Sequence, residues 1–173
     1  MLQDSIELPL RINSFLQRDL FLVTPSCLQP GDIWMAAVGC DSRGLLILHG
    51  ASACTPPLLP SPHSILSFGS YRIQFRSSQT SHQQHVTHTL LATVSSQPET
   101  KPRHVTVHEF PAWRSSAALP SVSKMVTLAM EVRQWWILYG QGKPLVLHSS
   151  YGASRRRAAL FISVWNLLER LEH

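Results

Sequence analysis

The stretch PLVLHSSYGASRRRAALFISVWNLLERLEH, from Pro144 to His173, constrains the fold of this chain more than any other. A short apolar run ends in His148. A small-residue turn follows with Ser149, Gly152 and Ser154, and then come Arg155, Arg156, Arg157 and an apolar segment long enough for a helix. Strand, tight loop and helix in that order bring backbone N–H groups together at a helix N-terminus, the usual seat for an anion. Arg155 stands where a bidentate guanidinium would complete such a seat. The same residues also suit a plain strand-to-helix turn with solvated arginines. Three cations near a helix start oppose the helix dipole unless an anion sits there.

The chain has 173 residues, 44% of them hydrophobic and 14% charged. That is enough for one domain with a real core, and it is not a disordered composition. A net charge of +5 favours anionic partners. The basic clusters, Arg155 to Arg157 and Lys101 with Arg103, are too short for a nucleic-acid patch, and no aromatic residues interleave with a basic stripe. Cys27, Cys40 and Cys54 are odd in number and form no CxxC pair, so reduced thiols are expected rather than a disulfide framework or a zinc site. His82, His85 and His88 recur every three residues. On a strand that spacing splits them between two faces, so a solvated surface is the expectation and a metal site is not. No apolar run approaches the ~20 residues of a membrane span. The N-terminus lacks the basic start of a secretory signal.

Residues 1–10 read as loose, and Leu20 to Thr24 as a strand. Asp32 is placed to cap a helix holding Ile33, Trp34 and Met35. RGLLILHG reads as a strand buried on both faces, and the proline-rich 55–64 as loop. YRIQFRS alternates Tyr71, Ile73 and Phe75 against Arg72, Gln74 and Arg76, a half-buried strand. VTHTLLATVSS and RHVTVHEF are further strands. With so little between them, these three strands pair antiparallel. Ser121 or Ser123 caps a helix whose Met125, Leu128, Ala129, Val132 and Trp136 share one face. PLVLH is the last strand and 155–171 the last helix. The fold class read from this order is α/β (α+β): a mixed, largely antiparallel twisted sheet flanked by helices, in a single domain over 1–173.

VLHSSYGASRRRA resembles the signature loop of the protein tyrosine phosphatases, V-H-C-S-x-G-x-G-R-[ST]-G. His148 matches the histidine, Ser149 falls on the nucleophilic cysteine, Gly152 on the internal glycine, and Arg155 on the phosphate-clamping arginine. The resemblance implies a phosphate-binding loop made of His148, Ser149, Ser150, Tyr151, Gly152, Ala153, Ser154 and Arg155. RINSF, FLVT, DIWMAAV, GLLIL and VHEFPAW with Pro120 resemble further family blocks in the right order, the last ending in the acid-bearing W-P-D loop. The long Trp113-to-Pro120 spacing, EVRQWW and the Gly39-Cys40 pair are similar to the membrane-distal second phosphatase domain of MAM-bearing receptor phosphatases. That likeness implies a cytoplasmic location. Neither end of the family domain is found, so the resemblance is to a domain truncated at both ends.

The pattern breaks at the chemistry. The family's thiolate attacks phosphorus, and loop amides with the arginine keep it ionised. An alcohol such as Ser149 starts many pKa units higher, and each unit is about 1.4 kcal/mol. His148 is its neighbour, but adjacent strand side chains point to opposite faces. The general-acid aspartate falls near Ser115, where WRS has no acid, and Glu109 is a poor substitute. Ser154 and Arg157 replace glycines, which costs about 1 kcal/mol or more wherever the backbone needs a positive φ. The residues of 158–168 are apolar nearly all round, and the family helices that would cover them do not follow, so exposed apolar surface is expected. The resemblance therefore implies an inactive domain that binds or regulates, with no cofactor. Its expected partner is a phosphotyrosine protein or peptide, or another phosphatase domain. The alternatives are an active phosphoesterase with serine chemistry and a non-functional fragment.

Overall fold

A computed structural model describes residues 9–25, 27–49, 57–81, 85–97, 99–111, 113, 119–149 and 154–173, with the helix at Ser154 described by its backbone. The elements run β1 (Leu10–Ile12), β2 (Phe21–Val23), α1 (Pro30–Gly39), β3 (Gly44–Ile47), β4 (Ile65–Phe68), β5 (Tyr71–Thr80), β6 (Val86–Val94), β7 (Arg103–Glu109), α2 (Val122–Tyr139), β8 (Leu145–His148) and α3 (Ser154–Glu172). The strands form one sheet in the order β1-β2-β8-β3-β7-β6-β5-β4. Its centre is parallel: β2 with β8, β8 with β3, and β3 with β7. Antiparallel pairs complete both sides. The mixed sheet with flanking helices agrees with the class read from the sequence.

Strand alternation sorts the core into two layers. On one side Phe21, Val23, Leu46, Leu48, Leu145 and Leu147 meet Leu128 and Val132 of α2 and Phe161 and Trp165 of α3. On the other, Leu22, Leu45, Ile47, Val146, Val105 and Val107 meet Ile33, Trp34 and Ala37 of α1. The central strands are buried on both faces, which is why GLLI and LVLH read as continuous apolar runs.

Several local expectations are corrected. Asp32 is not the cap of α1. The helix begins earlier, at Pro30, with Gln29 as N-cap and Asp32 in the first turn, because proline's fixed φ suits the first helical position. Ser121 does cap α2, its hydroxyl accepting from the Lys124 N–H. His85 is not on a solvated surface. It is buried, with Nδ1 2.6 Å from Glu131 Oε2 and Nε2 3.1 Å from His108 Nδ1. His88 Nε2 lies 2.9 Å from Glu109 Oε2. Glu131 and Glu109 lie far from these histidines in sequence, so spacing alone could not reveal them. His82 is outside the described residues. No group of three or more His, Cys, Asp or Glu able to hold a metal occurs among the described residues. On α3 apolar surface is exposed as expected, at Leu167 and Leu171, while Ala158, Phe161, Ile162 and Trp165 form a buried face.

Candidate functional site

The carboxyl ends of the four parallel strands converge on one point. Beyond the strand ends the ladder continues: the Thr24 N–H donates to Leu147 O at 3.0 Å, the Leu48 N–H to His148 O at 2.9 Å, and the Phe110 N–H to Ile47 O at 2.9 Å. Thr24, His49, His148 and Ser149 are therefore carried, fully buried, to the same end of the sheet. In open sheets with parallel strands, ligands bind at this end.

Alternation then separates the two residues that the sequence places side by side. Val146 faces α1, so His148 does too. Leu147 faces α3, so Ser149 does too. His148 Nδ1 lies 2.7 Å from Thr24 Oγ1, and its ring meets that of His49 with centroids 5.9 Å apart. Burial, with His49 beside it, holds the His148 imidazole down to about 3. Burial, then the charge of Arg157, holds His49 at about 4, against a smaller upward pull from Glu109. Both rings are neutral near pH 7.

Ser149 meets a different group. The guanidinium of Arg157, in the first turns of α3, donates from Nη1 to Ser149 Oγ at 3.2 Å, to Leu48 O at 2.8 Å and to Trp113 O at 3.3 Å. Its Cζ lies 4.8 Å from the centre of the Trp113 ring. Arg157, Ser149 and Trp113 are each at most 2% exposed. Arg157 does not have a positive φ, so the backbone strain considered for its glycine-matched position does not arise there. Arg155 is exposed on the same helix. The sequence singled out Arg155 from its loop position. The burial of Arg157 depends on Trp113, 44 positions away, and had no local signal.

Of the other candidate residues, Ser150, Tyr151, Gly152, Ala153 and the general-acid position Ser115 lie outside the described residues, as does the side chain of Ser154. A cavity of about 530 Å³ lined by Asp41, Arg43, Tyr71, Lys101 and Arg103 opens at the opposite ends of the strands, away from Ser149.

No helix among the described residues is long and apolar enough to cross a membrane. A comparison with curated proteins finds no match. The family model of the protein-tyrosine phosphatases matches residues 50–173, which takes in β4 to α3 and the whole strand–loop–helix around Ser149. The blocks around RINSF, FLVT, DIWMAAV and GLLIL precede that match. Well over half of the chain is covered, and the chain belongs to the protein-tyrosine phosphatase family.

Proposed function

We propose that this domain is catalytically inactive and works as a binding or regulatory module. In this reading it holds a phosphotyrosine peptide weakly at the loop from His148 to Arg155, or docks against another phosphatase domain, on the cytoplasmic side of a membrane receptor. One observation carries the reading: Ser149, which the resemblance puts at the nucleophile position, has a hydroxyl accepting a hydrogen bond from a guanidinium. A guanidinium is always protonated and cannot take the hydroxyl's proton. The nearest histidine in sequence faces the other side of the sheet and is tied to Thr24. An alcohol needs a base to attack phosphorus near neutral pH. The lack of an acid in WRS, at the position of Ser115, supports the same reading.

Replacement of the thiolate by a hydroxyl removes one negative charge from the loop, which favours anion binding without turnover. The test measures both on a phosphotyrosine peptide. Binding without phosphate release, weakened at least tenfold by Arg155→Ala, is the expected result. Phosphate release that Ser149→Ala abolishes would overturn inactivity. Peptide affinity unchanged by Arg155→Ala would remove the phosphate seat and leave domain docking, read by pull-down with an active phosphatase domain.

A further inference from the structure

Two arginines flank the loop in different ways. Arg155 is exposed, whereas Arg157 is withdrawn into the core at 1% exposure. A cation so buried persists only where acceptors surround it. Among the described residues those acceptors come from three separate segments: Leu48 beyond β3, Trp113 beyond β7 and Ser149 beyond β8. We propose that Arg157 is the resident cation of this site, a positioning residue that ties the Trp113 segment to the ends of β3 and β8 and sets the electric field at position 149.

The geometry gives this role to Arg157 by reach and by permanence. Its Nη1 already lies at hydrogen-bond distance from the Ser149 side chain, so an atom at that place feels the charge at contact range. A guanidinium stays charged at every pH at which the protein folds. The indole of Trp113 covers it, which holds the fork in one orientation and keeps water from screening it. The depression of His49, to which Arg157 contributes after burial, is the mark of that field on a neighbour across the sheet. At 1% exposure Arg157 is not placed to grip an incoming ligand. It acts through Ser149 and Trp113. The inference concerns the charge within the fold and stands whether or not the loop binds phosphotyrosine.

The experiment places a titratable reporter in the field. Ser149→Cys is made in the full chain, and its thiolate is followed by ultraviolet absorbance against pH, with the wild type subtracted to remove the three native cysteines. An ordinary thiol titrates near about 8.5, and contact with a fixed cation lowers it, so a midpoint at least about one unit lower is expected. Arg157→Met on that background raises the midpoint by more than about one unit, a tenfold change in thiolate fraction on the low-pH side. Arg157→Lys, which keeps the charge and loses the fork, restores most of the depression. Arg155→Met leaves the midpoint within about a third of a unit. Circular dichroism and urea melts check folding of each variant. If Arg157→Met does not fold, the Arg157→Lys and Arg155→Met arms decide. A midpoint at or above that of an ordinary thiol in folded Ser149→Cys overturns the proposal. So does a midpoint raised more by Arg155→Met than by Arg157→Met or, where the latter does not fold, a rise of more than about one unit from Arg155→Met.

Discussion

His49 and His148 meet edge to face where the parallel strands end, and both are neutral near pH 7. Their folded pKa values, about 4 and about 3, lie below the ordinary 6.5. The unfolded chain therefore binds more protons than the folded one once the pH drops below about 6.5, and stability falls with it. The contribution is complete above that pH and drains away until the folded values are reached. Buried His108, pushed well below 6.5 by burial and by the charges of His85 and His88, adds to the same window. Each such histidine steepens the loss by about 1.4 kcal/mol per pH unit. Urea melts between pH 7 and pH 5 are expected to show this decline, and His148→Gln to flatten it. A stability that stays level across that range would contradict neutral burial of these rings. The place of His148 at the end of a buried strand was legible in the sequence. The pairing of Thr24 with His148 was not, because it arises from the register between β2 and β8, set by packing of both strands.

At the scale of elements, α2 is fastened to the sheet by polar and apolar contacts that the sequence shows only in part. Of the stripe read from helical periodicity, Met125, Leu128, Ala129 and Val132 are buried, and Trp136 is half-buried against the same core. The chain from Glu131 through His85 to His108 was not, since it joins β7, the start of β6 and a helix turn. His85→Leu is expected to leave Glu131 and His108 without this partner and to cost about 1–3 kcal/mol in urea melts. An unchanged midpoint would mean the chain contributes nothing. Trp135 packs its indole on His108, with centroids 4.7 Å apart, and also over Gly44. A Cβ at Gly44 would sit 2.6 Å from the Trp135 ring and 3.0 Å from Leu145 Cδ1. Gly44→Ala is therefore expected to destabilise by about 1–3 kcal/mol, through overpacking rather than backbone strain. The penalty should shrink when Trp135→Leu is made first. Additive effects in that double-mutant cycle would place the strain elsewhere.

Across the whole molecule, the alternation of apolar residues identified which strands are buried on both faces, yet not their order. The pairing of β8 between β2 and β3 joins segments more than a hundred residues apart, and no local pattern records it. For α3 the sequence pointed to exposed apolar surface without saying where: the fold covers one face with β2, β8 and α2 and leaves another open. Leu167 is 60% exposed and Leu171 83%, while Trp165 is fully buried. On α2, Ile137, Leu138 and Tyr139 are also exposed. Exposed large apolar groups favour association with dyes, with other copies or with partners. Replacing two exposed leucines removes that tendency without touching the core, so Leu167→Lys with Leu171→Lys is expected to keep stability within about 0.5 kcal/mol. The same pair should lower the fluorescence of a hydrophobic dye bound to the native protein and reduce concentration-dependent mass in light scattering. Trp165→Ala is the contrasting change: it empties the space between Phe21 and Trp136, and should cost about 3–5 kcal/mol. If the lysine pair instead collapses cooperative unfolding, those leucines belong to the core and the open face of α3 is wrongly placed. If stability holds but dye binding and mass do not change, the exposed apolar surface that matters lies on α2, where Ile137→Lys provides the same comparison.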